Sequence, residues 1–174
     1  KQSWSEFPLD YVDILDGKLH KYSFSAISNR DKFMIYVGNK EPQQGYKFRF
    51  DGSRIKLERC SGSCTQIKAE QLSANRRLAN GVKNFNAYFI SVQYENDKNS
   101  VIFGILNDTV ITSVNEDNLK LEKITHLWLR NDYDWRQCTY VQNFKKVGPS
   151  STCMNTVGSY TCIDDSSEKI GIGF

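Results

Sequence analysis

The chain lacks the sequence features of membrane-spanning, nucleic-acid-binding and zinc-binding proteins. It contains no run of about eighteen apolar residues, so the sequence predicts no membrane span. Its formal net charge is only +3 and the two signs are interspersed, so we expect no nucleic-acid partner. Its two histidines do not stand at the spacing that a zinc site shared with cysteines would need. What is left is a globular composition of mixed charge.

The motifs of common enzyme classes are also missing. Neither Gly-x-Ser-x-Gly nor His-Glu-x-x-His occurs, and the glycines stand singly rather than in a Gly-rich turn between a strand and a helix. His20 and His126 are the available bases, but each lies in a segment that favours a packed side chain. We therefore expect no catalytic residues and no cofactor. A small-molecule enzyme is the alternative, and it would require a deep pocket lined by His20 or His126.

Short alternating segments separated by turn residues dominate the chain. Residues 20–26 alternate between large or apolar and polar side chains, as a half-buried strand does. Tyr46–Phe50 and Ser53–Glu58 alternate on either side of Asp51-Gly52, which is the strongest short-range signal of a hairpin. About nine or ten such segments without a long helix predict an all-β fold, an antiparallel β-sandwich or jelly roll.

Two segments interrupt this pattern. Residues 68–80 are rich in helix formers, and we interpret them as a loop with one helical turn. After a buried strand over residues 121–129 and a last strand over residues 138–144, residues 145–151 contain Gly-Pro-Ser-Ser and indicate a linker.

Five cysteines make an odd number. Cys60 and Cys64 are close enough in sequence for a small-loop disulfide, whereas Cys138, Cys153 and Cys162 cluster near the end of the chain. We expect disulfides, and hence an oxidising compartment, without being able to assign the connectivity. The unpaired cysteine predicts a partner cysteine outside this chain, and we expect the chain to belong to a longer multidomain protein.

The segment from Cys153 to Cys162 has the pattern Cys-x-Asn-x4-Tyr-x-Cys, in which Gly158-Ser159 can turn the chain. It resembles the hairpin of a calcium-binding EGF-like module. That resemblance implies calcium ligands at Asp132, Asp134 and Asn155. The later cysteines of such a module are missing, so we expect a solvated acidic turn here rather than bound calcium. The predicted organisation is a β-sandwich recognition domain over residues 1–145 and a linker with a partial, disulfide-bonded EGF-like module over residues 146–174.

The β segments, taken in order, resemble the domain named after farnesoic acid O-methyltransferase, which occurs in animal secreted and cell-surface proteins. The segments that carry the resemblance are Phe24–Ile35, Tyr46–Arg59, Asn86–Val92, Val101–Gly104 and Ile124–Trp135. The resemblance covers residues 4–145 approximately and implies an antiparallel β-sandwich. The family name also implies methyl transfer, but the chain has no βαβ pattern that would hold S-adenosylmethionine.

The predicted ligand-binding turn contains Arg130, Asp132, Tyr133, Asp134 and Trp135. Aromatic faces beside carboxylates and a guanidinium suit a glycan, and they suit a protein ligand equally well. The turn could instead fold its tryptophan back onto the sandwich. Asn107 begins the chain's N-glycosylation sequon, in a predicted hairpin turn.

These observations predict a secreted protein or the extracellular part of a membrane protein. Its function would be non-enzymatic recognition of a glycan or an extracellular protein, in adhesion, matrix or innate defence. The alternative is a structural module that self-associates through the tail and the unpaired cysteine.

Overall fold

The computed structural model describes residues 4–7, 12–28, 33–50, 53–72, 86–105, 109–131, 138–149 and 159–162. Its strands are β1 (Trp4–Phe7), β2 (Val12–Asp13), β3 (His20–Ser28), β4 (Phe33–Gly38), β5 (Gln44–Phe50), β6 (Arg54–Ser61), β7 (Cys64–Gln71), β8 (Asn86–Glu95), β9 (Lys98–Ile105), β10 (Thr109–Glu116), β11 (Lys123–Ile124), β12 (His126–Asn131), β13 (Cys138–Gly148) and β14 (Ser159–Cys162). No helix long and apolar enough to cross a membrane lies within these ranges.

The strands form two six-stranded antiparallel sheets and a short two-stranded ribbon. The first sheet has the order β1-β12-β4-β5-β6-β7, the second has the order β10-β9-β8-β3-β13-β14, and the ribbon joins β11 to β2. The inner faces of the two sheets pack against each other in one hydrophobic cluster. The predicted fold class, an all-β antiparallel β-sandwich, is confirmed.

Aromatic side chains from both sheets fill the space between the layers. Phe48 of the first sheet lies 5.6 Å from Phe103 of the second, measured between ring centroids. Phe103 also stacks on Tyr88 at 5.7 Å, and Tyr88 stacks on Phe24 at 5.5 Å. Each of these rings is at most 3% exposed. Burial of large rings is the main source of stability here, and it explains why the chain is rich in Phe and Tyr.

Alternation sets which side chains enter this core. On β3 the side chains of Tyr22, Phe24 and Ala26 are buried, whereas the intervening ones are only partly covered, as predicted. The hairpin between β8 and β9 turns through Asn96 and Asp97, whose φ angles are 54° and 60°. Both angles belong to the two-residue turn that matches the twist of a hairpin. The predicted turn at Asp51-Gly52 lies outside the described residues.

Three sequence-based boundaries were wrong. Residues 68–71, assigned to a loop, belong to β7, because pairing with β6 outweighs the helix propensity of a charged edge segment. The strand predicted over 121–129 is divided at Thr125 into β11 and β12. The predicted linker over 145–151 begins inside β13, which pairs with β3 as far as Gly148. The position of the domain boundary stays a prediction, although β14, from the tail region, pairs with β13 in the second sheet.

A polar cluster joins the two sheets at one edge of the core. Arg59 of β6 donates two hydrogen bonds to the Glu116 carboxylate of β10, at 2.5 and 2.7 Å. The Tyr46 hydroxyl donates to the same carboxylate at 2.9 Å. The buried Asn99 amide donates to the Tyr46 oxygen and to the Leu119 carbonyl. The hydrogen bond from Arg59, opposed by partial burial, holds the pKa of Glu116 below its ordinary value, so this carboxylate is ionised near neutral pH.

Candidate functional site

The first sheet has one face in the core and one face that points away from it, which we call the outer face. Alternation along β5 defines both faces, because Tyr46, Phe48 and Phe50 are fully buried while Lys47 and Arg49 are only partly covered. The pattern Tyr-Lys-Phe-Arg-Phe therefore supplies three core side chains and two cations on the outer face. Neighbouring strands repeat the arrangement, so this face carries charged side chains in cross-strand rows.

One such row crosses four adjacent strands. Arg130 of β12 lies opposite Met34 of β4, Met34 lies opposite Arg49 of β5, and Arg49 lies opposite Lys56 of β6. We call these four residues the basic row. The row spans three strand spacings, or roughly 14 Å. Three of its four members are cationic.

Aromatic side chains form a second row on the outer face, beside the basic row. Tyr36 stacks on Trp128 with ring centroids 5.3 Å apart and an interplanar angle of 11°. The Arg130 guanidinium lies 4.0 Å from the centroid of Trp128 and covers its ring, leaving the tryptophan 4% exposed. The ring of Tyr36 crosses Gly45, where any Cβ would collide with it. The aromatic pair therefore supports the cations and does not offer an open stacking surface.

A carboxylate from the β4–β5 connection lies between two of the cations. Glu41 is 2.5 Å from the Lys47 ammonium and 3.4 Å from the Arg130 guanidinium, measured to its two carboxylate oxygens. Burial raises the pKa of Tyr36, and the Glu41 charge raises it further. The Tyr36 hydroxyl is thus a neutral donor, and it donates to the Gln44 carbonyl at 2.9 Å.

The other carboxylate on this part of the face is Glu58 of β6, which lies 3.5 Å from Arg49. The Arg49 side chain is 39% exposed, so its guanidinium is accessible from solvent. Together the described cations and carboxylates provide donors and acceptors on paired strands.

The predicted disulfide between Cys60 and Cys64 is confirmed, and it borders the aromatic row. The two cysteines lie opposite each other at the end of the β6–β7 pair and are bonded. Cys60 is fully buried and packs with Met34, Tyr36 and Trp128. The disulfide therefore fixes the end of the sheet beside the outer face.

The two histidines do not form a catalytic site. His20 is 3% exposed, and its Nε2 lies 3.1 Å from the Asp16 carboxylate. His126 Nδ1 lies 2.8 Å from the Thr125 hydroxyl. A polar cavity of about 270 Å³ lies on the second sheet and involves neither histidine. Its lining residues are Gln93, Glu95, Asn96, Lys98, Ser100 and Asn115. The enzyme alternative required a pocket at one of the histidines and gains no support from this geometry.

Of the predicted ligand-binding residues, Arg130 lies on the outer face. The other four, Asp132, Tyr133, Asp134 and Trp135, lie outside the described residues, as do Asn107, Cys153 and Asn155. No group of three or more acidic, cysteine or histidine side chains that could hold a metal occurs in the described ranges. Sequence reasoning missed Lys47, Arg49 and Lys56, although the alternation of β5 and β6 places them on the face away from the core.

Comparison with known proteins shows the fold. No protein-family model matches the chain, and no curated protein matches it in sequence. CG-16, a homodimeric agglutinin from chicken liver, matches with a TM-score of 0.52 at 13% identity, over 82% of this chain and 98% of the agglutinin. A congerin II double mutant matches at 10% identity and a variant of an ancestral congerin at 12%, each with a TM-score of 0.53 and the same shares of the two chains. The chain therefore shares the β-sandwich fold of this agglutinin and of the congerins. Neither the farnesoic acid O-methyltransferase-like nor the EGF-like resemblance gains a matching family model.

Proposed function

We propose that this chain is a non-enzymatic recognition module that binds a glycan through the outer face of its first sheet. The observation that carries the proposal is the convergence of Lys47, Arg49 and Arg130 with the carboxylates of Glu41 and Glu58 on one rigid face. Sugar hydroxyls both donate and accept hydrogen bonds, so a face of fixed cations and carboxylates can pair with several hydroxyls at once.

The rigidity of the sheet supports binding by these groups. Side chains on paired strands lose less freedom on binding than side chains on a mobile loop, so more of the interaction energy appears as affinity. Arg130 is further restrained by its contact with Trp128. One structural neighbour is an agglutinin, and this supports a carbohydrate ligand.

The loop after β12 is the second element of the proposal. Asp132, Tyr133, Asp134 and Trp135 follow Asn131, the last residue of β12, so the predicted turn starts one residue after Arg130 in sequence. An aromatic residue from this turn would supply the stacking surface that the covered Trp128 cannot offer.

An extracellular setting, with a role in adhesion, matrix or defence, is part of the proposal. The Cys60–Cys64 disulfide supports an oxidising compartment, and the Asn107 sequon is consistent with it. The partial EGF-like tail, the kinship with the farnesoic acid O-methyltransferase-like domain and calcium at Asp132, Asp134 and Asn155 stay hypotheses.

The test is a glycan array with the chain and three variants. Arg49→Ala removes a cation from the outer face, Trp135→Ala alters the loop, and Lys120→Ala removes an exposed cation elsewhere as the control. We expect binding that Arg49→Ala weakens and Lys120→Ala preserves. Loss in Trp135→Ala alone would assign recognition to the loop. An array without any binding would contradict the proposal and favour a protein ligand or self-association.

A further inference from the structure

We infer that the basic row selects acidic glycans, with its Arg49–Lys56 pair binding a sulfate or carboxylate group of the saccharide. The inference rests on the proposed function and adds the chemical class of the ligand. It starts from the cross-strand register, in which Arg49 and Lys56 are direct partners on β5 and β6. Like charges directly opposite each other in an antiparallel pair destabilise a sheet. An anion bound between the two side chains would relieve that repulsion.

The charge of Lys56 is the one that the nearby carboxylates do not offset. Arg49 has Glu58 as a partner at 3.5 Å, and its side chain is nevertheless 39% exposed. Glu41 serves Lys47 at 2.5 Å and reaches Arg130 at 3.4 Å. Among the described carboxylates, none forms an ion pair with Lys56. Lys56 therefore retains its positive charge beside the exposed Arg49 guanidinium.

The geometry of the row suits an extended ligand with more than one anionic group. Arg130 lies two strands from Arg49, on the other side of Met34, so a saccharide crossing the strands would meet cations roughly 10 Å apart. The Arg130 side chain is 24% exposed, so its guanidinium provides a second cation along the row.

The experiment compares three forms of one oligosaccharide, a heparin hexasaccharide. The native form carries sulfates and carboxylates, the desulfated and N-acetylated form carries carboxylates only, and the desulfated, N-acetylated and carboxyl-reduced form is neutral. Affinities are measured by calorimetry for the chain and for the variants Arg49→Gln, Lys56→Gln and Lys120→Gln, the last as a control for lost surface charge.

We expect tighter binding of at least one acidic form than of the neutral form, and the stronger acidic form identifies the anionic group. The double variant Arg49→Gln/Lys56→Gln should lose that affinity by about tenfold or more, because two charge-assisted contacts are removed. Raising the salt concentration from about 0.05 M to about 0.5 M should weaken binding of the acidic form to the unmodified chain. The variant Lys120→Gln should bind like the unmodified chain.

A stability measurement separates this role from a structural one. Arg49 and Lys56 carry like charges at directly opposite positions. In the absence of glycan, the Lys56→Gln variant should therefore have the same melting temperature as the unmodified chain or a higher one. It should nevertheless bind the acidic form less tightly. Glycan binding should also raise the melting temperature of the unmodified chain more than that of the variant.

Four results would overturn the inference. They are equal binding of the three forms, an unchanged affinity in the double variant, an equal loss in Lys120→Gln, and equally tight binding of a polyglutamate peptide through the same two residues. If the array finds a neutral glycan whose binding depends on Arg49 while no acidic form binds, the acidic class is wrong and the proposed function stands. If no glycan binds at all, both the inference and the proposed function are wrong.

Discussion

Replacing Glu116 with glutamine tests whether the polar cluster joins the two sheets as the structure indicates. The carboxylate accepts two hydrogen bonds from Arg59 and one from Tyr46, and the Arg59 and Glu116 side chains are 23% and 12% exposed. The amide keeps an acceptor oxygen but loses the charge and the bidentate pairing. Loss of these charge-assisted bonds should lower the free energy of unfolding by about 2 kcal/mol. For a chain of this size that corresponds to a melting temperature lower by about 4–8 °C.

The pH dependence gives this prediction a sign. The folded-state pKa of Glu116 lies below the ordinary value of 4.5, chiefly because Arg59 donates to the carboxylate while burial opposes the shift. The stabilisation by ionised Glu116 is therefore complete above the pKa that this residue has in the unfolded chain. It is lost as the pH falls through the pKa of Glu116 in the folded state. The difference between the unmodified chain and Glu116→Gln should be largest near neutral pH and should narrow as the pH falls below 4.5 and through the folded-state pKa.

The assay is thermal unfolding by circular dichroism across this pH range. Glu122→Gln is the matched control, because Glu122 is 57% exposed and pairs with Lys120 at 3.9 Å. An exposed pair of this kind should contribute less than about 1 kcal/mol. An equal effect of the two substitutions, or a Glu116→Gln effect independent of pH, would refute the reasoning.

The remaining predictions concern packing, buried hydroxyls and the cysteines. Gly104→Ala should destabilise the fold by about 1–3 kcal/mol in chemical denaturation, because the new methyl would meet the Phe89 ring and the Thr109 carbonyl; an unchanged midpoint would contradict the packing. Tyr22→Phe should leave the free energy of unfolding unchanged or raise it, because the buried Tyr22 hydroxyl has no hydrogen-bond partner among the described residues. Tyr46→Phe should lower it by about 1 kcal/mol, because the hydrogen bond to Glu116 is lost. The reverse order of the two effects, measured by chemical denaturation, would contradict these hydrogen bonds. The register places Cys138 opposite Cys162, so peptide mapping by mass spectrometry should find them linked, together with Cys60–Cys64; a Cys153–Cys162 bond would show that the register is wrong.

The sequence allowed the fold class to be predicted because each strand carries its own evidence. The alternation over residues 20–26 and 46–50 reports which side chains are buried without reference to any other strand. The prediction failed at residues 68–71, where the segment has helix-forming residues but pairs with β6 at the edge of the sheet. Local propensity and tertiary pairing disagree there, and pairing prevails.

The candidate site was harder to predict because it depends on long-range register. Arg49 and Lys56 belong to one hairpin, and their opposition follows once the turn between β5 and β6 is fixed. Arg130 reaches the same row only because β12 pairs with β4, which places Arg130 opposite Met34. The two strands are far apart in the chain, so local sequence does not reveal this pairing. Glu41 joins the cluster through the loop between β4 and β5, and nothing in its local sequence predicts its two cationic partners. Arg130 was selected for its neighbours in the following turn, and the structure gives it a different set of contacts.

The central claim is that the outer face of the first sheet binds the glycan. Amide chemical-shift mapping by NMR, with the glycan that binds most tightly on the array, tests it most directly. The account predicts that the largest shifts fall on β4, β5, β6 and β12, around Met34, Arg49, Lys56 and Arg130. Shifts centred on β8, β9 and β10 of the second sheet, with the first sheet unchanged, would contradict it.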